Sequence, residues 1–239
     1  MPRETKQRTK QNTMNKTFLF GILAGSILLA SCGTGETPAT EGTATDSTAT
    51  AAAPATHHIL ADQSAVNWTG TMLGVKSHTG TLNFTDGHVT TAGGQLTGGK
   101  FTVDMRSYQM TDTNYAADGS AQGTRAMLMG HLMSPDFFAV DSFPTASFEI
   151  TKVEGNTATG NLTVRGRTFP ETVKDIVLTQ DANGVSATGN LTFDRQKYGV
   201  SWSSPMKDMV LSNDIVLKVD LKAAPTATAQ AQTAQPAVN

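Results

Sequence analysis

The sequence predicts one all-β domain, a sandwich or a barrel, over residues 57–223. Three observations predict this class. Apolar and polar side chains alternate with a period of two in several short stretches, which is typical of strands that bury one face. Turn-forming residues separate these stretches, and segments made of small and polar residues flank them on both sides.

Seven strands are predicted from apolar side chains that recur at every second position. They are Val66–Met72, Leu82–Phe84, Phe101–Met105, Phe148–Ile150, Leu162–Val164, Leu191–Phe193 and Ile215–Leu221. The predicted turns are Asp86-Gly87, Gly93-Gly94, Glu154-Gly155-Asn156 and Asn183-Gly184. Several short strands with one apolar face each, separated by turns, indicate a sandwich or a barrel.

One segment departs from the two-residue period and predicts a short helix over residues 124–133. Its apolar side chains lie on one helical face, which would pack against the sheet or cap it; they are Met127, Leu128, Leu132 and Met133. The preceding residues Asp112–Gly123 are rich in Gly, Ala, Ser, Asn and Asp and predict a long loop. A second short helix or an irregular loop is predicted for Pro205–Leu211, so the domain should carry one or two short helices.

Residues 1–31 are predicted to be a signal peptide. The apolar stretch Phe18–Ala30 has 13 residues, fewer than the about 20 that a helix needs to span a bilayer. It ends in Leu29-Ala30-Ser31-Cys32, which resembles a bacterial lipobox and predicts acylation of Cys32. A plain secretory signal with an incidental cysteine is the alternative. Residues 1–13 precede Met14, which is a second candidate start.

Residues 32–56 and 224–239 are predicted to be a disordered tether and a disordered tail. Both consist almost entirely of small and polar residues, which cannot offset an ordering cost of about 1–2 kcal/mol per residue. Together with an acylated Cys32, the tether predicts a protein that is lipid-anchored in the cell envelope. Because Gly33 rather than an aspartate follows the cysteine, we expect the outer membrane, facing the periplasm.

Charge and composition exclude two classes of site. Of 18 basic and 20 acidic side chains, residues 1–31 hold five and one, and the remaining 13 and 19 form no basic cluster that would bind nucleic acid. The single cysteine excludes disulfides and zinc sites built on paired thiolates. These two absences remove nucleic acids and cysteine-rich metal sites from consideration.

The remaining candidates for chemistry are the histidines, at positions 57, 58, 78, 88 and 131. They lack ligand spacing and are interpreted as surface or turn residues, so neither a metal nor a cofactor is predicted. The sequence contains no G-x-S-x-G elbow, and no other catalytic constellation is found. We therefore expect a protein that is not an enzyme.

The apolar inner face of the predicted strands has two interpretations. It forms either a packed core or the lining of a lipophilic cavity, since a barrel of about eight strands can hold one small ligand. The candidate lining residues are Trp68, Phe84, Phe101, Val103, Met105, Leu128, Leu132, Phe137, Phe138, Phe148, Ile150, Leu162, Val164, Phe193 and Trp202. Periodicity alone leaves both interpretations open.

Six segments together resemble the YceI-like family. They are Asp62–Trp68, His131–Phe138, Phe143–Phe148, Gly160–Gly166, Phe193–Arg195 and Tyr198–Trp202. Their order and spacing cover nearly the whole predicted domain. The resemblance implies a lipocalin-like, extended antiparallel barrel of about eight strands. It also implies that an isoprenoid or another amphiphilic lipid is held in an elongated pore, without catalytic residues.

A lipid in such a pore would place its tail among the candidate lining residues and its headgroup at the mouth. The predicted helix and the pair Phe137-Phe138 should lie near one opening, as a movable cover. The predicted headgroup partners are Lys76, Arg165 and Arg195, because burying an unpaired phosphate is prohibitive.

Two alternatives to a lipid carrier remain. An envelope stress-response factor or an enzyme acting on an isoprenoid lipid would need an ionisable pair inside the pore, for which Asp194 and Arg195 are the adjacent candidates. A structural module that binds another envelope protein would instead have a solid, well-packed barrel. The predicted partners are the lipid and the membrane, and the oligomeric state, a homodimer included, stays open.

Overall fold

The computed structural model describes residues 53–204 and 209–226. The strands in this part of the chain are β1 (Ala55–Ile59), β2 (Ala65–Leu73), β3 (Lys76–Ala92), β4 (Gln95–Asp104), β5 (Gln109–Met110), β6 (Thr145–Glu154), β7 (Thr157–Val164), β8 (Arg167–Asp181), β9 (Gly184–Asp194) and β10 (Val210–Pro225). One helix, α1 (Arg125–Met133), lies between β5 and β6. A 3₁₀ turn, Ala61–Gln63, separates β1 from β2.

Eight of these strands close into an antiparallel barrel. The order around it is β2-β3-β4-β6-β7-β8-β9-β10, and β10 pairs with both β9 and β2. Closure gives each of the eight strands two hydrogen-bonded neighbours, which removes the free edges that invite aggregation. The predicted all-β class is confirmed, and the architecture is the lipocalin-like barrel that the resemblance implies.

β1 lies at one end of the barrel, where it brings the two ends of the described domain together. It pairs with β10 and with β3, so that β1 and β2 follow each other along the same gap between those two strands. The amide of Thr226 donates to the carbonyl of Thr56 at 3.1 Å. We call this the terminal end. The predicted domain limits, residues 57 and 223, fall inside β1 and β10.

The opposite end carries the long connections and is called the helix end. It contains the β2–β3 turn, the 105–144 connection with β5 and α1, the β7–β8 turn and the β9–β10 connection. The terminal end is closed by tight two-residue turns, such as Gly93-Gly94, where both φ angles are positive. Any movable cover of the barrel therefore belongs to the helix end.

All seven predicted strands are present, as β2, β3, β4, β6, β7, β9 and β10. The prediction omitted β1, β5 and β8. The alternation of β8 is weak because most of its side chains are exposed and because Asp175 interrupts it with a φ of 54° at a bulge. The predicted turn at Asp86-Gly87 is wrong. These residues form a bulge within β3, where Phe84 faces Val103 but Asp86 faces the next residue back along β4.

The predicted helix is confirmed over Arg125–Met133. The Thr124 hydroxyl caps its first turn by accepting from the Met127 amide at 3.2 Å. The predicted apolar stripe is only partly correct, because Met127 is 49% exposed, whereas Leu132 is buried. The second predicted helix or loop, Pro205–Leu211, lies partly outside the described residues, and its last two positions begin β10.

The predicted signal peptide, the acylation site Cys32 and most of the tether lie outside the described residues. Within residues 53–204 and 209–226, no helix has the length and apolar character needed to cross a membrane.

Candidate ligand-binding cavity

The barrel encloses a cavity of about 270 Å³. Side chains from all eight barrel strands and from α1 form its wall, and nearly all of them are apolar. All the candidate lining residues lie on this wall: Trp68, Phe84, Phe101, Val103, Met105, Leu128, Leu132, Phe137, Phe138, Phe148, Ile150, Leu162, Val164, Phe193 and Trp202. The alternation of the strands and the stripe of α1 thus converge on one surface.

The barrel is hollow rather than filled by its own side chains. Phe148, Ile150 and Val103 point inward and line the cavity, yet they are only partly buried. Leu217 and Val219 on β10 show the same combination. In a close-packed core, inward side chains touch neighbours on every side. Their residual exposure shows that the centre is open, which argues against the solid barrel expected of a purely structural module.

Glycines on neighbouring strands make room for the large rings of the wall. A Cβ atom on Gly80 would lie 2.6 Å from Trp68 Cζ2, and one on Gly160 would lie 2.6 Å from Phe148 Cζ. Both distances are shorter than any real contact, so each ring occupies the space that a side chain would otherwise fill. The rings therefore lie on the barrel wall and leave the middle of the cavity open.

A continuous series of ring contacts connects the barrel wall at Trp68 with the long connections of the helix end. It runs from Trp68 to Tyr108 (5.7 Å between centroids), Phe138 (6.0 Å), Phe137 (5.0 Å), His131 (5.4 Å) and Trp202 (4.8 Å). This series joins β2, the 105–144 connection and the β9–β10 connection. Burial raises the pKa of the Tyr108 phenol far above its usual value, so the hydroxyl stays neutral. Phe137 and Phe138 line the cavity from the 105–144 connection, and Leu128 and Leu132 line it from α1. That they form a movable cover stays a prediction.

Few polar side chains reach the cavity wall. Lys76 is the one Lys or Arg side chain among the described lining residues, and none of these residues is an Asp or a Glu. Its ammonium group donates to the Asn114 carbonyl at 3.3 Å. His78 and His131 also line the cavity, and the Nε2 atom of His131 is buried without a hydrogen-bond partner. The electrostatic character of the wall is therefore weakly positive, at the helix end.

The loop after β5 is fastened to β3 by the Asp112 carboxylate. It accepts hydrogen bonds from the Tyr115 hydroxyl at 2.7 Å and from the Thr79 amide at 3.0 Å, and it pairs with His78 Nδ1 at 3.2 Å. Burial raises the pKa of the Asp112 carboxyl, but these hydrogen bonds outweigh it and hold the pKa well below its usual range. Arg125 of α1 donates to the Asp112 carbonyl, so the same residue positions the start of the helix.

Arg195 is not a headgroup partner in this structure. It is 1% exposed and absent from the cavity wall, and it donates to the carbonyls of Val200 (2.6 Å), Trp202 (2.8 Å) and Ser212 (3.0 Å). Burial lowers the pKa of its guanidinium, which the charge of Asp194 partly offsets. Its role is structural, since it holds the connection that brings Trp202 to the cavity.

Arg165 likewise lies outside the wall. It donates to the carbonyls of Gly199 and Pro135 and so links the β7–β8 turn to the connections on either side of it. Its assignment as a headgroup partner is corrected in the same way. An enzyme acting on the lipid would need an ionisable pair inside the pore. Asp194 and Arg195 do not form such a pair, because neither lines the cavity.

The interpretation of the histidines as surface or turn residues is wrong for His57. This residue is 3% exposed on β1 and its Nε2 atom lies 3.2 Å from the Thr91 hydroxyl. His78 and His131 are wall residues, as described above. No three His, Cys, Asp or Glu side chains approach one another closely enough to hold a metal ion anywhere in the described ranges.

Several wall residues were missing from the sequence prediction. His78 could have been found by extending the alternation of Leu82 and Phe84 back along β3, since all three occupy even positions. Val173 and Ile176 were missed with the strand β8 that carries them. Tyr108 carries no periodic signal, because it lies in a connection between strands.

Comparison with known proteins decides the family. A family model described as the YceI-like domain matches residues 57–223, which is most of the chain. The chain belongs to the YceI-like family. Two relatives of this chain are UPF0312 proteins, one from Pseudomonas paraeruginosa (33% identical over 126 residues, 51% of this chain) and one from Staphylococcus aureus strain bovine RF122 (32% over 95 residues, 36% of this chain). The matched segments span about half the length of these relatives, 53% and 54%.

A solved structure of similar architecture is that of BcnA from Burkholderia cenocepacia. It superposes with a TM-score of 0.54 at 19% identity, covering 68% of this chain and 98% of that protein. At this identity the similarity concerns the fold. It agrees with the closed barrel described above.

Proposed function

We propose that this protein binds a long-chain isoprenoid or a similar amphiphilic lipid inside the barrel and carries it at the bacterial cell envelope, without acting on it chemically. One observation carries the proposal. The closed barrel encloses an apolar cavity of about 270 Å³ whose described wall holds one Lys or Arg side chain, Lys76, and no Asp or Glu.

The shape of the cavity favours a long ligand. Its wall extends along β10 from Leu211 to Leu221, which corresponds to about 25 Å along the barrel axis for strands tilted by about 40°. Each methylene transferred from water into such a wall contributes about 0.8 kcal/mol. A flexible aliphatic chain therefore gains affinity with every carbon that the cavity accommodates, whereas a compact polar ligand would lose its hydration without compensation.

The polar end of the lipid is proposed to lie at the helix end. Lys76 provides a cation there, and His78 lies on the same face of β3 two residues later. A phosphate or another oxygen-rich headgroup beside Lys76 keeps its charge paired and partly solvated, because Lys76 itself is only partly buried. The absence of acidic side chains from the described wall avoids repulsion of an anion.

An acyl anchor on Cys32 is proposed to hold the carrier in the outer membrane, on the periplasmic side. The support is the lipobox-like sequence Leu29-Ala30-Ser31-Cys32 and the glycine that follows it. Two or three acyl chains anchor a protein stably, whereas one chain alone binds reversibly. An anchored carrier remains near the membrane that supplies its ligand.

Extraction of the purified protein followed by mass spectrometry tests the proposal. We expect a co-purifying prenyl lipid, or uptake of an added polyprenyl phosphate or quinone by protein that carries none. A Leu162→Asp variant, with a charge placed on the buried wall, should lose uptake, whereas Lys218→Glu on the outer surface should retain it. Recovery of no lipid combined with no uptake by the parent chain would reject the proposal.

A further inference from the structure

Three large apolar side chains are exposed next to one another at the helix end. Leu73 at the end of β2 is 52% exposed, and Val210 at the start of β10 is 55% exposed. The two residues are direct partners in the β2–β10 pairing. Val75 in the β2–β3 turn is 51% exposed, and its amide donates to the Met72 carbonyl at 3.0 Å. We call Leu73, Val75 and Val210 the apolar rim.

The apolar rim adjoins the cavity. Met72 precedes Leu73 and Leu211 follows Val210, and both Met72 and Leu211 line the cavity wall. Successive side chains of a strand point to opposite faces. At this edge of the barrel the inner face and the outer face are therefore both apolar, so that an apolar surface continues from the cavity over the edge to the outside.

The composition of the rim is unusual for a turn at the surface. Tight turns are normally built from Gly, Asn, Asp and Ser. Gly74, with a φ of 70°, follows this rule, but Val75 beside it does not, and the turn follows directly on Leu73. Exposed apolar residues that are scattered singly need no explanation, but adjacent ones mark a contact surface. Leucine and valine beside a lysine, with no acid between residues 70 and 77, suit the boundary of a bilayer that contains anionic lipid.

We propose that the apolar rim docks on the surface of a lipid bilayer, and that the ligand passes directly between that bilayer and the cavity across this edge. The inference rests on the proposed function, since it concerns the route of the same lipid. A bilayer is favoured as the occupant because the apolar surface leads into the cavity. A long chain that crossed open water instead would expose its whole apolar area, which is unfavourable in proportion to that area.

A vesicle-to-vesicle transfer assay tests this route. The full acylated chain is reconstituted in vesicles of phosphatidylethanolamine and phosphatidylglycerol that carry a fluorescent polyprenyl phosphate, and transfer to acceptor vesicles of the same lipids is followed. For Leu73→Ser/Val75→Ser we expect the transfer rate to fall at least about tenfold, because two half-exposed apolar side chains no longer enter the acceptor bilayer. Equilibrium uptake of the probe from detergent micelles should stay at the parental value.

The matched control removes two exposed valines from the outer wall. Val177 is 62% exposed and Val216 is 44% exposed, and neither belongs to the rim. Val177→Ser/Val216→Ser should leave both transfer and uptake unchanged. Val210→Ser, on the other strand of the rim, should slow transfer in the same direction as the Leu73/Val75 variant.

The outcomes separate the two proposals. Parental transfer by both rim variants, with normal uptake, would overturn the docking inference alone, and it would also be the result if the rim bound a protein instead of a bilayer. Equal slowing by the rim and the control variants would overturn it as well, since the effect would not depend on position. Failure of the parent chain to take up the probe from micelles would overturn the proposed function and this inference with it.

Discussion

Replacing Phe148 by tryptophan should reduce lipid binding more than it reduces stability. The Phe148 ring lines the cavity from β6 and rests against Gly160 of β7, where a Cβ atom would lie only 2.6 Å from the ring. No space is left on that side. The larger indole must therefore extend toward the middle of the cavity, where the structure is open.

The size of the effect follows from the atoms exchanged. An indole has three more non-hydrogen atoms than a phenyl ring and should displace a similar number of ligand carbons. At about 0.8 kcal/mol for each carbon returned to water, the loss is about 2 kcal/mol. This corresponds to an affinity about thirtyfold lower. Folding should be affected less, because the added atoms enter a void rather than a packed region.

Titration with a fluorescent polyprenyl phosphate, together with thermal unfolding of the same samples, measures both effects. Lys218→Glu serves as the control, since the Lys218 side chain is 61% exposed on the outer face of β10. A folded Phe148→Trp protein that binds like the parent would refute the reasoning. It would mean that the ligand does not pass this part of the wall or that the cavity holds no ligand.

Three further predictions concern other parts of the molecule. Arg195→Leu should lower the free energy of unfolding by about 3 kcal/mol, because the carbonyls of Val200 and Trp202 lose their donor while buried. Denaturant titration measures this free energy. A decrease of less than about 1 kcal/mol would contradict the structural role of Arg195. The lowered pKa of Asp112 means that its stabilising contribution is complete above the ordinary carboxyl pKa and is lost as the pH falls through the lower, folded value. Asp112→Asn should therefore reduce the fall of the unfolding midpoint as the pH is lowered below the ordinary carboxyl pKa. An unchanged pH profile would argue against the hydrogen bonds assigned to Asp112. Cys32→Ser should abolish labelling by radioactive palmitate, whereas persistent labelling would place the acyl group elsewhere.

Much of the barrel could be predicted from the sequence because one face of most strands is apolar and the other polar. Phe101 and Val103 on β4, or Leu162 and Val164 on β7, show this alternation directly. In β8 the side chains of both faces are largely exposed, so burial leaves no two-residue pattern to read. The bulge at Asp175 also shifts the alternation of inward and outward side chains along β8 by one position.

The same alternation decides which residues of the candidate site could be predicted from the sequence. Residues whose inward position follows from alternation, such as Trp68 and Phe193, were placed on the cavity wall by sequence alone. The arginines were not, because the destination of a long cationic side chain depends on which carbonyls the loops leave unpaired. Arg195 satisfies three such carbonyls in connections that carry no periodic signal. Lys76 differs because it starts a strand and shares the inward register of that strand.

The start of β1 at the terminal end governs how far the apolar rim, at the opposite end of the barrel, can lie from an anchor at Cys32. Residues 33–54 separate Cys32 from the start of β1 by 22 residues, which extend to at most about 75 Å. The barrel is about 40 Å tall, judged from the 16 residues of β10 and a tilt of about 40°. If Cys32 carries an anchor, a linker of this length exceeds the height of the barrel, so it would allow the apolar rim to reach the anchoring bilayer. A linker cut to about ten residues would span at most about 35 Å, less than the height of the barrel, and would restrict the rim to surfaces other than the one that holds the anchor.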